Sequence, residues 1–566
     1  MPPASQTLTF AELADNHSSR VLALDDYQRG FVWGVRRVRQ LVSDLVEYQS
    51  QGHRAHAYYM GTVILHRPEP SNGEGDPTIH YVIDGQQRLA ALALLWAALA
   101  RDESHVRLPS GIDFQYRSPK ARARLQHAYL ELLRQVRTEA GDRGGAGSVG
   151  ERQLTPEVFS EIAITTVTTR SEDEAFAFFD SQNTRGVLLE TTDLLKAHHL
   201  RAIRVHSSAD EAGVAKDLQR DCARRWERLQ HLAGSGVSGQ GGSDFGSRLF
   251  SRYLWRGRRW SGISREQDHR HALLGEFRDE AYSPRELTNR LAGEPPEASS
   301  VEARPSARGA VDQVPCFPSG PKVVQPTIRW SRRAADWEVD VRLPHQSADA
   351  ARLPMSLRQP LSEGAGFFLY AERYGTLLRE LERPSESDGR ATDEWGAFRD
   401  FYRRVLYRSL TIYLRQPFLL ASLLYVDRFE DCRLLEFALW LEHVIGAERM
   451  YNRAVHQASV RRVLGGWDGR PNLLDVIAHA AIPDTIIRTL RNLPGIDGPY
   501  RDFDADCENF KRGADPRGLG TQKAYACAVR EYYEQSEAQP LANKREWIGG
   551  RLRTGKVSEG MGEQKV

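Results

Sequence analysis

The alternation of apolar and polar residues divides the chain into a mixed N-terminal region and a helical remainder. Runs rich in β-branched and aromatic residues at 58–65, 79–83 and 162–169 predict strands. Apolar residues recur at helical spacing over 35–51, which predicts an amphipathic helix. Helical patterns dominate beyond residue 200. The sequence therefore predicts an α+β fold in the N-terminal region, followed by a mainly α-helical C-terminal region.

Segments rich in glycine, serine and proline mark the predicted domain boundaries. Two glycine-rich segments lie at 140–150 and 234–247, and a longer stretch with proline and serine covers 293–326. The predicted domains are an N-terminal domain at residues 1–205, a helical region at 206–292, a linker or disordered insertion at 293–328, and a helical C-terminal domain at 329–566.

An Asp-Gly turn separates a predicted strand from an apolar helix at residues 89–100, and this turn is the strongest candidate site. Gln86, Gln87 and Arg88 lie in the first turn of that helix. Free backbone N–H groups and the helix dipole favour an anion there, and Arg88 can add a bidentate bond to phosphate. Asp84 lies on the opposite rim, where it can hold a cation or a water molecule. A structural turn with an aspartate cap accounts for the same residues.

Further polar residues with nearby aromatic rings are candidates for nucleotide binding. Arg29 and Gln28 can bind phosphates, and the rings of Tyr27 and Trp33 can stack on a base. Packing in the domain interior explains Trp33 equally well.

A polar turn follows a predicted helix near residue 180. Asn183 and Arg185 in this turn can hold a phosphate or a ribose, although Asn-x-x-Gly is also an ordinary helix stop. Asp193 and Lys196 lie three residues apart on the next helix, where a surface ion pair is the simplest interpretation.

A basic and aromatic segment at residues 252–260 is the candidate for DNA contact. Arg256, Arg258 and Arg259 can bind phosphates, and the neighbouring rings can stack on exposed bases. A helix end with two tryptophans in the core is the alternative.

Composition limits the classes of protein that fit. The 77 basic and 75 acidic side chains give a net charge of +2, so the whole chain has no bulk attraction to nucleic acid. The five cysteines form no C-x-x-C pair, which favours a reduced cytoplasmic protein without structural zinc. The first residues are not those of a signal peptide, and no apolar run has the length of a membrane span. We therefore expect a soluble, cytoplasmic protein with no membrane partner.

Three blocks in the first 200 residues resemble the GmrS-type domain, the ParB/sulfiredoxin-like half of GmrSD type IV restriction enzymes and SspE-like phage-defence proteins. The blocks are 27–33 (YQRGFVW, with YMGTVI following at 59–64), 82–89 (VIDGQQRL) and 178–189 (FFDSQNTRGVLL, continuing to DLLK at 193–196). Their order and spacing carry the resemblance.

The resemblance implies an NTP-binding and hydrolysing sensor, with Mg²⁺ as cofactor, that regulates the cutting of modified or foreign DNA. It implies catalytic roles for Asp84, Gln87 and Arg88, with Asp84 also as the metal ligand. Arg29 or Arg185 would neutralise charge that develops on the phosphates. The implied nucleotide-binding residues are Tyr27, Gln28, Arg29, Trp33, Gly61, Gly85, Gln86, Asn183, Arg185, Asp193 and Lys196.

The chain departs from the resemblance because it lacks the residue spacing of an HNH nuclease. Glu442 and His443 lie inside a helical pattern, which predicts a histidine on a helix surface. We therefore expect a separate nuclease subunit, DNA as a partner, and possible assembly into a homo-oligomer. Two alternatives stay open, namely a self-sufficient nuclease with an unrecognised site and a non-enzymatic adaptor that binds nucleotide or DNA. Alanine at Asp84 or Arg88 is expected to abolish hydrolysis with the fold intact.

Overall fold

The computed structural model divides the chain into two compact units, Met1–Ala197 and His198–Val566. The structure describes residues 4–15, 20–50, 57–68, 78–101, 109–116, 118–141, 154–171, 174–175, 178, 190–203, 209–231, 245–262, 269–281, 327–331, 336–340, 356–383, 393–452, 455, 463–466, 470–511 and 520–559.

A mixed six-stranded sheet forms the centre of the N-terminal unit, with the strand order β1-β6-β3-β4-β2-β5. The β1–β6 and β3–β4 pairs are antiparallel, and the other neighbours are parallel. The strands are β1 (Ala4–Thr9), β2 (Arg20–Ala23), β3 (Tyr58–His66), β4 (Thr78–Asp84), β5 (Ile112–Asp113) and β6 (Ile162–Thr169). The strands predicted at 58–65 and 79–83 are present as β3 and β4, which pair as an antiparallel hairpin.

Helix α3 is the central helix of this unit. It is buried on most sides because leucine and alanine occupy nearly all of its positions, with Leu89, Leu92 and Leu95 fully buried. The helices of the unit are α1 (Phe10–Ala14), α2 (Val35–Ser50), α3 (Gln86–Leu99), α4 (Pro119–Gly141), α5 (Val158–Glu161) and α6 (Thr191–Ala202), of which α6 crosses the unit boundary. The helix predicted after residue 173 lies mostly outside the described residues.

The second unit is mainly helical, so the predicted α+β class with a helical C-terminal region is confirmed. Its helices are α7 (Ala209–His231), α8 (Phe245–Arg248), α9 (Trp255–Arg259), α10 (Arg270–Leu274), α11 (Ala365–Glu382), α12 (Glu394–Phe401), α13 (Ile412–Phe429), α14 (Leu434–Tyr451), α15 (Leu473–His479), α16 (Pro483–Arg491), α17 (Gly498–Lys511), α18 (Gly520–Tyr532) and α19 (Lys544–Glu559). Strands β7 (Thr327–Ser331) and β8 (Asp336–Asp340) pair as an antiparallel hairpin. Of the linker predicted at 293–328, residues 293–326 lie outside the described residues, and the last two begin β7.

Wider π-helical turns extend three of these helices. They span Leu249–Leu254, Gly275–Asp279 and Tyr402–Tyr407, and a 3₁₀ turn at Leu541–Asn543 precedes α19. Among the helices in the described ranges, none combines the length and the apolar character that a bilayer crossing requires.

A buried histidine makes the stability of the helical unit sensitive to pH. The His199 ring stacks on Phe367 with 3.8 Å between ring centroids, and its Nε2 lies 2.7 Å from the Phe277 carbonyl oxygen. Burial, and then the neighbouring His198, hold the pKa of His199 well below its ordinary value of 6.5.

We expect the unit to lose stability as the pH falls below about 6.5, by at most about 1.4 kcal/mol per pH unit for this group. The unfolded chain then binds a proton that the folded chain does not. In thermal melts between pH 7.5 and 5.5, the melting temperature should depend less steeply on pH for His199→Gln than for wild type. The variant His479→Gln, at an exposed position, should keep the wild-type slope. Equal slopes in the two variants would contradict the assignment.

Candidate functional site

The turn between β4 and α3 leaves the amino end of the helix without a side-chain cap. Asp84 ends the strand, and Gly85 adopts a left-handed conformation with φ of 95° before the helix begins at Gln86. A Cβ atom at position 85 would lie 2.7 Å from the Val63 side chain, so glycine fits both the conformation and the space. No side chain at the N-cap position therefore accepts from the backbone N–H groups in the first turn of α3.

Arg88 holds an irregular part of β3 against this turn. Its guanidinium group donates to the carbonyl oxygens of Met60 at 2.8 Å and Thr62 at 2.6 Å, and it lies 3.3 Å from the Asp84 carboxylate. Gly61 between them has φ of 100°, and a side chain there would clash with the Arg88 guanidinium group. The pairing of β3 with β6 shifts register at this point, as in a β-bulge. Arg88 thus binds strand backbone and aligns Asp84.

Two glutamines fasten the loop around residues 28–32 to the same turn. The Gln87 side chain accepts from the Val32 N–H at 2.8 Å and donates to the Gly30 carbonyl oxygen at 3.2 Å. Gln28 donates to the Ile83 carbonyl oxygen at 3.2 Å. The loop and the helix start, which are far apart in sequence, therefore form one surface.

Two buried acceptors at this surface have no hydrogen-bond donor within the described part of the chain. They are the amide oxygens of Gln28 and Gln86, whose side chains are each 6% exposed. Buried polar atoms normally have a partner, since an unpaired one costs free energy. A ribose hydroxyl, an exocyclic amine or a water molecule can supply such a donor.

Arg29 is the cation of this surface. Burial lowers the pKa of its partly exposed guanidinium group, and Arg37 adds to this effect, while the carboxylates of Asp193, Asp84 and Glu190 oppose it. These three carboxylates act on Arg29 through their charge. The start of α6, which carries Asp193, therefore faces the same region as the β4–α3 turn.

The N-terminal unit matches the model of a known protein family. Residues 10–200 match the model of the GmrSD restriction endonuclease, N-terminal domain. This part of the chain is similar to a GmrSD-type N-terminal domain. The finding confirms the resemblance seen in the sequence and supports a role in a restriction system that acts in phage defence. Residues 319–502 match a second model, a family of unknown function called DUF7834, and no curated protein matches the chain.

The remaining predicted nucleotide-binding residues of the GmrSD-type domain lie in different settings. Trp33 packs against the hydrophobic core, as the packing interpretation expected. Lys196 is buried in α6. Asn183 and Arg185 lie outside the described residues.

The residues present fit a hydrated Mg²⁺ ion held mainly by a nucleotide. Asp84 supplies one partly exposed carboxylate, and Mg²⁺ commonly uses one or two carboxylates together with phosphate oxygens and water. Within the described ranges, no group of three His, Cys, Asp or Glu side chains is arranged to bind a metal ion.

The basic and aromatic segment at 252–260 is largely internal in the helical unit. Arg256 is 1% exposed and lies 5.0 Å from the Trp260 ring centroid. Arg258 forms an ion pair with Glu276 and donates to the Leu357 carbonyl oxygen at 2.9 Å. Protein groups, rather than open solvent, surround these two guanidinium groups.

The third arginine predicted to contact DNA also binds protein carboxylates. Arg259 forms ion pairs with Glu276 and Glu280. DNA contact by Arg256, Arg258 and Arg259 stays a prediction, and it would require these internal contacts to exchange for phosphate.

The expected surface position of His443 is wrong. Glu442 and His443 do lie on one helix, α14, but both side chains are buried, at 0% and 1% exposure. The His443 ring stacks on Tyr500 with 4.9 Å between centroids, and its Nε2 lies 3.0 Å from Asp497 Oδ1. Helical spacing alone does not distinguish a surface position from one covered on every side by other helices.

A buried ion pair beside His443 is the feature that the sequence did not reveal. Lys544 Nζ on α19 lies 2.7 Å from Glu442 Oε2, and both side chains are fully buried. Lys544 also donates to the hydroxyls of Tyr525 at 2.7 Å and Tyr500 at 3.2 Å. Gly446, one turn after Glu442, leaves room for these two hydroxyls. The network joins α14, α17, α18 and α19, which are distant in sequence.

Proposed function

We propose that the GmrSD-type domain binds and hydrolyses a nucleoside triphosphate with Mg²⁺, as the sensor or regulatory subunit of an anti-phage restriction system that acts on modified or foreign DNA. The observation that carries the proposal is the convergence of three features at one turn. They are the uncapped amino end of α3, the Arg29 guanidinium group and the unpaired amide oxygens of Gln28 and Gln86. Together they offer donors to phosphate and acceptors to a nucleoside.

Each group would have a distinct task in hydrolysis. The first-turn N–H groups of α3 would bind phosphate oxygens, and Arg29 would neutralise the charge that develops during phosphoryl transfer. Asp84 would orient the attacking water or hold the Mg²⁺ ion, which when bound neutralises phosphate charge. Arg88 has a positioning role in this proposal, because its hydrogen bonds to Met60, Thr62 and Asp84 keep the carboxylate in place.

The nuclease activity of the system would come from a partner. The sequence of the chain lacks the histidine and asparagine spacing of an HNH module, which needs a general base and metal ligands close together. Nucleotide turnover would then change how the helical unit holds DNA or that partner, either as a single chain or as a homo-oligomer.

Arg29→Ala is expected to lower phosphate release at least about a hundredfold, because a removed charge-stabilising group costs a large part of the transition-state stabilisation. Phosphate release should be measured for ATP, GTP, CTP and UTP with Mg²⁺, with and without modified phage DNA. Arg36→Ala is the control, since Arg36 is an exposed arginine in the first turn of α2. It should keep wild-type turnover.

Two outcomes would contradict parts of this proposal. Equal turnover in Arg29→Ala and wild type would remove Arg29 from the site. Nucleotide binding without turnover by the wild-type chain would instead favour a non-enzymatic adaptor.

A further inference from the structure

A second basic and aromatic segment lies in the helical unit, and it contains no acidic residue. Residues 402–415 read YRRVLYRSLTIYLR, with four arginines and three tyrosines. The segment covers the π-helical turn Tyr402–Tyr407 and the start of α13 at Ile412. Its composition is close to that of the 252–260 segment, but its placement differs.

Two of the three tyrosine rings of this segment are exposed, whereas Tyr402 is buried. Tyr407 is 44% exposed and Tyr413 is 43% exposed, whereas most large apolar and aromatic side chains in the described unit are buried. Exposed aromatic rings next to cations are a means of binding bases and phosphates together.

A cation lies beside the Tyr407 ring. The Arg415 guanidinium carbon lies 4.8 Å from the Tyr407 ring centroid, and Arg403 and Arg408 are exposed on the same turn. No acidic residue lies in the first turn of α13, and no side chain caps its N-terminus at Thr411. The positive end of the helix dipole therefore adds to the arginine charges.

Acidic groups offset only part of this charge. Arg404 lies 3.5 Å from Asp400, and Arg408 lies 2.6 Å from Glu531, which is itself exposed. Among the described residues, Arg403 and Arg415 form no ion pair with a carboxylate, although the charge of Arg415 acts on the buried Glu382. Five exposed or partly exposed residues of the segment, Arg403, Tyr407, Arg408, Tyr413 and Arg415, are termed the Tyr407 surface. They carry three positive charges, of which one is paired with Glu531.

We propose that the Tyr407 surface binds single-stranded nucleic acid. Arginines follow a phosphate backbone without regard to sequence, and tyrosine rings stack on unpaired bases, which expose their faces. A duplex offers its phosphates but keeps its bases stacked inside, so the exposed rings favour a single strand. The inference does not depend on nucleotide hydrolysis, because all its residues lie in the helical unit.

The test measures binding of a fluorescently labelled oligothymidylate to the full chain by anisotropy over a range of salt concentrations. Tyr407→Ala/Tyr413→Ala is expected to weaken binding about tenfold or more, because two stacking rings are lost. Arg403→Gln/Arg408→Gln is expected to reduce the slope of log affinity against log salt by about 0.7 for each lost phosphate contact.

Two control variants match these changes elsewhere on the helical unit. Tyr451→Ala removes a tyrosine that is 68% exposed, and Arg488→Gln removes an exposed arginine that is paired with Asp484 as Arg408 is paired with Glu531. Both should bind oligothymidylate as wild type does. Ultraviolet crosslinking of the wild-type chain should attach the oligonucleotide to a peptide from residues 402–415.

Three results would overturn the proposal. The first is an equal loss of affinity for oligothymidylate in the control variants and the surface variants. The second is equal affinity of the wild-type chain for duplex and single strand at the same salt concentration, and the third is a crosslink outside residues 402–415. Phosphate release measured on the same variants separates this proposal from the nucleotide site, since the Tyr407 surface variants should keep the basal turnover of wild type.

Discussion

Glu442→Ala is expected to destabilise the helical unit by about 3–5 kcal/mol, because it leaves the Lys544 ammonium group buried without its carboxylate. Lys544 is fully buried, and burial lowers its pKa while Glu442 opposes that effect. The Tyr525 and Tyr500 hydroxyls that accept from Lys544 cannot neutralise its charge. Hydrogen exchange followed by mass spectrometry should show faster exchange in α14 and α19.

A double variant separates the loss of the ion pair from the loss of packing. Glu442→Gln/Lys544→Met removes both charges and keeps similar volumes, so it should recover most of the stability that Glu442→Ala loses. Asp217→Ala breaks the exposed pair with Arg220 and is expected to change stability by less than about 1 kcal/mol. Equal losses for Glu442→Ala and Asp217→Ala would show that the buried pair contributes no more than a surface pair.

Arg88→Ala is expected to destabilise the N-terminal unit by about 3 kcal/mol as well as remove nucleotide turnover. The variant leaves the Met60 and Thr62 carbonyl oxygens without their charged donor, and hydrogen bonds to charged groups contribute about 1.5–3 kcal/mol each. This revises the expectation from sequence that alanine here leaves the fold intact.

The measurement compares hydrogen exchange in β3 with phosphate release in the same variants. Arg88→Lys should keep the positive charge but only part of the protection of β3 from hydrogen exchange. The reason is that an ammonium group lacks the planar geometry by which a guanidinium group donates to two carbonyl oxygens. Arg101→Ala, at an exposed position just after α3, should change neither quantity. Unchanged exchange around Met60 in Arg88→Ala would show that Arg88 does not hold the bulge.

Local sequence patterns anticipated much of the N-terminal unit. The strands β3, β4 and β6 and the helices α2 and α3 lie where residue type and periodicity predicted them. The reason is that apolar spacing and the Asp-Gly turn act over a few residues, so they are readable from the chain alone. The resemblance carried by the three motif blocks was likewise confirmed by the match at residues 10–200.

The roles of individual arginines could not be read in the same way. The segments 252–260 and 402–415 are both rich in arginine and aromatic residues, yet Arg256 is buried and Arg408 is exposed. Neighbouring helices decide which of two similar segments is covered. Arg88 similarly binds β3 backbone that lies more than twenty residues earlier in the chain.

The sequence by itself determined the α+β class, the helical C-terminal region, the position of the Asp-Gly turn and the resemblance of the first 200 residues to the GmrSD N-terminal domain. These follow from short-range patterns and ordered motifs. Only the tertiary structure decided that Arg88 supports β3, that Gln28 and Gln86 keep unpaired acceptors, and that Glu442 meets Lys544 in the core. The hydrogen bond from Arg88 to Thr62 joins residues 26 positions apart, and the Glu442–Lys544 ion pair joins residues 102 positions apart. The unpaired acceptors depend on burial, which is a property of the packed chain.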